Sequence, residues 1–355
     1  MNGQKYQQEQ DKINISKTRE ILATLPPFIK DFINGIADYT STRTRLAYAY
    51  DIRVFFLFIQ ENNPLYKDKD LKEIPISVLD ELTRKDIEEY LDYMTYYQKE
   101  GKEVTNHERG KARKISSLRS MYRYYYQHEM IKNDTAALVP VPKLHENVII
   151  RLEPNEVAIL LDQVESGAKL TASQLKYHQK TKLRDVAILT LLLGTGIRVS
   201  ECVGIDINDV DFDNDGVMVH RKGGYDSIVY FGYEVETALQ DYLEERRNII
   251  AVQGSENALF LSLQNKRMSV RAVEKMVKKY AENVTTLKKI TPHKLRSTYG
   301  TTLYRESGDI YLVASVLGHS DVNTTRKHYA ALDEDRKRSA VKYVQLRDKE
   351  NKPEE

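Results

Sequence analysis

Apolar residues recur at helical spacing along most of the chain. From Thr42 to Gln60, Leu46, Ala49, Tyr50, Val54, Leu57 and Phe58 share one face, with Ser41 or Thr42 placed to cap the first turn. Thr83 introduces a second such pattern in Ile87, Tyr90, Leu91 and Met94, and a third runs through Ile115, Leu118, Met121, Tyr122 and Tyr125. Upstream, residues 1–24 are mostly polar and expected to fray at the start, and a small helix is expected from Phe28 to Ile33, after Leu25-Pro26-Pro27. The first half therefore reads as all-helical. Pro140 and Pro142 end the pattern, because each proline fixes its own backbone and biases the preceding residue towards extended conformations.

The second half mixes periodicities. Pro154 opens a helix through Leu161, a polar stretch runs from Glu165 to Lys182, and a very apolar helix spans Leu183 to Leu193. Val217-Met218-Val219 and Ile228-Val229-Tyr230 flank Gly223-Gly224, which predicts a β-hairpin. Helical spacing resumes over Ala238 to Ile250, Val270 to Tyr280 and Arg296 to Arg305. The expected fold is mainly α with a small antiparallel sheet. Its expected divisions are an N-terminal extension (1–35), a helical domain (36–140), a linker (141–152), a second domain (153–345) and a flexible tail (346–355).

Composition narrows the function. The chain has 355 residues, enough for two domains, with 41% hydrophobic and 30% charged residues, a globular balance. Its longest apolar stretch, Val186 to Ile197, is too short to span a bilayer, and the polar start lacks the apolar core of a secretory signal, so a cytoplasmic location is expected. The single cysteine, Cys202, excludes an intrachain disulfide and reads as packing, and no cysteine–histidine cluster has zinc spacing.

A net charge of +2 conceals segregation. Lys102 to Arg123 holds seven Lys/Arg against two acids, Lys275 to Arg305 eight against one, and Asp206 to Asp215 five aspartates and no base. Basic segments of this kind suit a phosphate backbone, although such runs are also common on solvated helix faces.

Several short motifs carry candidate chemistry. Gly194-Thr195-Gly196-Ile197-Arg198 joins two helices and puts Arg198 near a helix start, with Glu201 three residues on to hold it. Lys222 precedes the Gly223-Gly224 turn. His293 and Arg296 lie one turn apart, followed by Leu317-Gly318-His319 and Thr324-Thr325-Arg326-Lys327-His328-Tyr329. Taken singly, each has a plainer reading as a cap, a buried histidine, an exposed turn lysine or one of 24 tyrosines.

In order, an arginine, a hairpin lysine, His-x-x-Arg, Gly-His and tyrosine resemble the active-site signature of the tyrosine site-specific recombinases, the phage-integrase family. The basic helix from Arg113 to Tyr124 is similar to the DNA-facing helix of Xer-type members. The polar insertion before Leu183-Arg184-Asp185 is similar to that of the single-protein Xer recombinases of streptococcal type (XerS). Two departures stand out: Ser297 occupies a position where the family usually has a second histidine, and Tyr329 follows His319 by ten residues, where nine is commoner.

The resemblance implies a SAM-like helical core-binding domain and an α+β catalytic domain closing as a clamp on duplex DNA. It further implies Tyr329 as nucleophile, with Arg198, Lys222, His293, Arg296 and His319 as its catalytic partners. Glu201 supports Arg198, and Arg113, Lys114, Ser117, Arg119 and Arg123 face DNA. Physical chemistry fits these roles. Attack on a phosphodiester raises its charge from one to about two, and planar guanidiniums bond two oxygens at once. Imidazole, titrating near pH ~6.5, can accept or orient the proton of a phenol that titrates near ~10. The leaving 5′ alkoxide needs a proton, for which Lys222 is the candidate. No metal and no cofactor are implied. The implied assembly is a homotetramer on two DNA sites, passing through a 3′-phosphotyrosyl intermediate and a Holliday junction, with room for an accessory protein. The expected biological role is Xer-like chromosome dimer resolution, with integration or excision of a phage or integrative conjugative element as the alternative. A type IB topoisomerase and a non-catalytic DNA-binding protein are the remaining readings.

Overall fold

A computed structural model describes residues 3–99, 101–143, 150–221, 224–285, 287–318 and 322. The chain forms two compact units, one of residues 7–147 and one of residues 148–355 with residues 1–6.

In the first unit, α1 (Gly3–Leu22) and α2 (Phe28–Gly35) lead into the long α3 (Thr42–Asn62), followed by α4 (Val78–Glu81), α5 (Arg84–Tyr93) and α6 (Glu108–Gln127). The expected caps form: the Ser41 hydroxyl accepts from the Thr44 N–H, and Thr83 and Asp86 make a reciprocal capping box. Residues 1–35, expected as an extension, behave differently. The polar start is helical, and Ile21, Leu25, Ile29, Phe32 and Ile33 enter the same core as Phe55, Phe56, Tyr90, Tyr122 and Tyr125. Their burial removes apolar area from water, which outweighs the low helix preference of the surrounding polar residues.

The all-helical expectation also needs correcting. Strands β1 (Tyr96–Lys99) and β2 (Lys102–Thr105) pair antiparallel, with Gly101 at φ +73° in the turn. Each strand has four residues, too few for an alternating pattern to stand out from the neighbouring helices.

The second unit begins with Pro154 at the first turn of α7 (Pro154–Ser166), which ends at Gly167 in the left-handed conformation. The second part of the polar stretch, from Ala172, is continuous with the apolar helix. Thr171 and Gln174 cap one continuous helix, α8 (Ala172–Thr195), whose polar half turns His178 and Thr181 inward; the His178 ring bonds the Val164 carbonyl at 2.6 Å. Next come α9 (Val199–Gly204), β3 (Val210–Asp211), β4 (Gly216–His220) and β5 (Asp226–Tyr230) in a three-stranded antiparallel sheet of order β3-β4-β5. The predicted hairpin thus has the register Val217↔Val229 and Val219↔Ser227. Helices α10 (Tyr233–Arg247), α11 (Val270–Ala281), α12 (Pro292–Ser307) and α13 (Ile310–Leu317) complete the unit, with α8 packed between α10, α12 and α7. The core gathers the buried side of α8, Val217, Val219 and Val229 of the sheet, and Leu239, Tyr242, Val277 and Tyr280. Among the described residues no helix is long and apolar enough to cross a membrane.

Candidate active site and nucleic-acid interface

Helix α8 ends at Gly196, whose φ of +64° turns the chain so that Ile197 is buried and Arg198 becomes the N-cap of α9. Glu201, itself buried, accepts twice from Arg198: from the backbone N–H at 2.8 Å and from Nη1 at 2.7 Å. The other terminal nitrogen, Nη2, donates to the Gly318 carbonyl at 3.2 Å. Arg296, buried on α12, donates from Nη1 to the Gly196 carbonyl at 2.6 Å and from Nη2 to the Leu317 carbonyl. Residues nearly a hundred positions apart are thus drawn to the end of α13.

That end explains the convergence. Gly318, at φ +61°, closes α13 with its N–H directed to the Ala314 and Ser315 carbonyls, leaving the last carbonyls of the helix to find donors elsewhere. Arg221, at the foot of β4, donates from Nη2 to the Val316 carbonyl at 3.0 Å, so Val316, Leu317 and Gly318 each receive one guanidinium. The negative end of the helix dipole favours this arrangement. Chemically, Arg198 and Arg296 are permanently charged, planar donors beside the chain that continues into His319, and such a pair can bind the non-bridging oxygens of a phosphodiester.

His293 is exposed on the first turn of α12, one turn from Arg296, while Ser297 turns its hydroxyl back onto the His293 carbonyl at 3.1 Å. Cys202 is fully buried, and burial pushes its thiol well above the ordinary range, which makes it packing. Lys222, His319 and Tyr329 lie outside the described residues. Arg221 was not singled out in the sequence; its signal was only an arginine beside the hairpin lysine.

The basic helix α6 separates the residues expected to face DNA. Lys114 and Ser117 are buried, and Ser117 Oγ donates to Asp51 Oδ2 at 2.8 Å, with Lys114 Nζ 3.8 Å from Asp51 Oδ1. Arg113 pairs with the same carboxylate from a half-exposed position. Arg119 donates to the Ala136 carbonyl at 3.2 Å and to that of Val139. Asp51 on α3 accounts for the correction, since a buried carboxylate demands cations and donors around it. The outward stripe is instead Arg109, Arg113, Ser116 and Arg123, spaced as one helical face.

The chain belongs to the phage integrase family, which matches residues 151–336. It is a tyrosine recombinase, an enzyme that cleaves and rejoins DNA at specific sites. Among its relatives is tyrosine recombinase XerC of Caldanaerobacter subterraneus subsp. tengcongensis, 33% identical over 330 residues, covering 89% of this chain and 86% of the relative. Tyrosine recombinase XerS of Streptococcus pyogenes is 30% identical over 354 residues, covering 91% and 97%. In fold, the chain resembles the XerH site-specific recombinase in a post-cleavage complex with its palindromic difH substrate (TM-score 0.63, 19% identity, 85% of this chain and 80% of that one). It also resembles a lambda integrase dimer bound to a core site (TM-score 0.60, 16% identity, 85% and 94%).

Proposed function

We propose that this enzyme resolves chromosome dimers in the cytoplasm by exchanging strands between two copies of one duplex site, in support of chromosome partition at cell division. Similarity to Xer recombinases over 89% and 91% of the chain supports that role over integration of a mobile element. Tyr329 attacks the scissile phosphate and breaks its bond to the 5′ oxygen, forming a 3′-phosphotyrosyl enzyme and a free 5′-hydroxyl. The 5′-hydroxyl of the partner duplex then attacks that linkage and returns the phenol. Bond energy is conserved, so no ATP is consumed. Four protomers on two sites carry two such exchanges through a Holliday junction, with an accessory protein able to act on the assembly.

Arg198 and Arg296 bind the non-bridging oxygens as negative charge grows on them, and His319 adds a further hydrogen bond. His293 takes or orients the Tyr329 proton, Lys222 protonates the departing 5′ oxygen, and Glu201 fixes the plane of the Arg198 guanidinium. No metal or other cofactor is required in this scheme. The core-binding and catalytic domains correspond to residues 7–147 and 148–345, and the exposed face of α6, with Arg109, Arg113 and Arg123, contacts the DNA backbone.

The convergence of Arg198 and Arg296 on Leu317-Gly318, immediately before His319, is the observation that carries this reading. A duplex nicked beside the cleavage point tests it by trapping the covalent adduct. Wild-type enzyme is expected to form the adduct, and Tyr329→Phe to bind the same DNA without forming it. Adduct formation by the phenylalanine variant would remove Tyr329 as nucleophile. For the biological role, a plasmid with two direct copies of a short inverted repeat found beside the gene should be resolved into two circles; recombination only between mobile-element ends would favour integration.

A further inference from the structure

We infer that Arg221 is a positioning residue for strand cleavage, holding the end of α13, and with it the turn into His319, against the strand that leads into Lys222. The inference rests on the recombinase reading above.

Arg221 is the last described residue before the hairpin turn, and it is buried although it is an arginine. Burial of so large a cation requires a specific partner. That partner is the terminus of α13: Nη2 donates to the Val316 carbonyl at 3.0 Å, 95 residues away in sequence. Nη1 fills the space beside Gly318 so closely that a β-carbon there would overlap it, with Arg221 Cδ only 3.1 Å from the same point. Glycine at 318 therefore serves two needs at once. It permits the left-handed φ of +61°, and it leaves room for the guanidinium.

The consequence follows from what the neighbouring carbonyls do. Leu317 and Gly318 receive Arg296 and Arg198, so Arg221 anchors the first carbonyl of a run whose next two members orient the phosphate-binding arginines. It touches no reacting atom in this scheme. Its effect is on placement, where a displacement of about 1 Å costs roughly a hundredfold in rate. Arg221 differs in this from Lys222, the next residue, whose proposed role is proton delivery to one oxygen.

The experiment compares full-length wild type, Arg221→Ala, Arg221→Lys, Gly318→Ala, Lys222→Ala and the Arg221→Ala/Gly318→Ala double variant. Each is assayed for DNA affinity, thermal unfolding, and single-turnover cleavage of duplexes with a bridging 5′ oxygen or 5′ sulfur. Arg221→Ala is expected to bind DNA as the wild type does and to cleave both substrates at least about tenfold more slowly. Lys222→Ala should recover on sulfur, because a thiolate leaves without a proton. Gly318→Ala should be at least as slow as Arg221→Ala, because it displaces the guanidinium and also strains the left-handed turn, and the double variant should be no slower than Gly318→Ala alone, since the alanine has already removed the Arg221 contact. If Arg221→Ala does not fold, Arg221→Lys carries the test; its single ammonium cannot fill the planar site beside Gly318, and cleavage should again be slowed on both substrates. Wild-type cleavage by the folded Arg221 variants, or rescue of their defect by sulfur, would overturn the inference. Absence of any adduct with wild-type enzyme would instead overturn the recombinase reading itself.

Discussion

Gly196 sets this site through its backbone, and the proposed role of Lys222 rests on its chemistry. At Gly196 the constraint is steric: φ is +64°, an added β-carbon would run into the Tyr299 ring, and Leu317 Cδ2 lies 3.0 Å from that position. Gly196→Ala is expected to destabilise the enzyme by about 1–3 kcal/mol, read from urea unfolding, and to slow cleavage by shifting the carbonyl that holds Arg296. Unchanged unfolding would show that the turn relaxes freely. At Lys222 the proposed constraint is chemical, proton delivery to the leaving oxygen. Rescue of Lys222→Ala by the 5′-sulfur substrate, with chelator present throughout, should contrast with Arg198→Ala, which is expected to stay defective on both substrates because it removes a proposed phosphate contact. Inhibition by chelator would turn attention to metal binding.

Between elements, the decisive contact joins α3 and α6. Burial raises the pKa of Asp51 above its ordinary value, against the opposing pull of Arg113, Ser117 and Lys114. Asp51→Ala would leave Lys114 buried without its carboxylate, and a loss of about 3–5 kcal/mol in unfolding free energy is expected. Asp51→Asn retains an acceptor for Ser117 and should cost less. The sign with pH follows from linkage. Above the unfolded value near 3.8 the unfolded chain releases this proton before the folded one does, so the contribution of Asp51 falls as pH rises towards the folded pKa. The Asn variant should therefore gain on the wild type as pH increases through that window, and equal slopes in the two unfolding series would contradict the raised pKa. Arg119 belongs to the same scale. Because it ties α6 to the Ala136 and Val139 carbonyls, Arg119→Ala should lower stability more than it lowers DNA affinity.

Over the whole molecule, near-neutral net charge coexists with two basic segments and one acidic one. Neutralising DNA phosphates releases counterions, so affinity should fall steeply and linearly in log–log form as salt rises. Arg123→Ala, on the exposed face of α6, should weaken binding and reduce that slope, while cleavage of saturated DNA changes little. A flat salt dependence would place the recognition surface elsewhere.

Most of the fold was legible in the sequence wherever local chemistry suffices. Helical spacing, the Ser41, Thr83 and Pro154 starts and the β4–β5 hairpin are encoded within a few residues of one another. The order of Arg198, Lys222, His293, Arg296, His319 and Tyr329 was likewise readable as a family signature. Tertiary structure alone decided which cations point outward. Lys114 and Ser117 face Asp51, 63 and 66 positions away, and no pattern within α6 reveals that a buried carboxylate waits on α3. It also drew residues 7–35 into the first core, paired the short β1 and β2, and brought Arg221 to the end of α13. The physical reason is common to these cases: a buried charge, an orphan carbonyl or an edge of apolar surface is satisfied by whatever the fold brings near, and that neighbour is set by packing rather than by sequence distance.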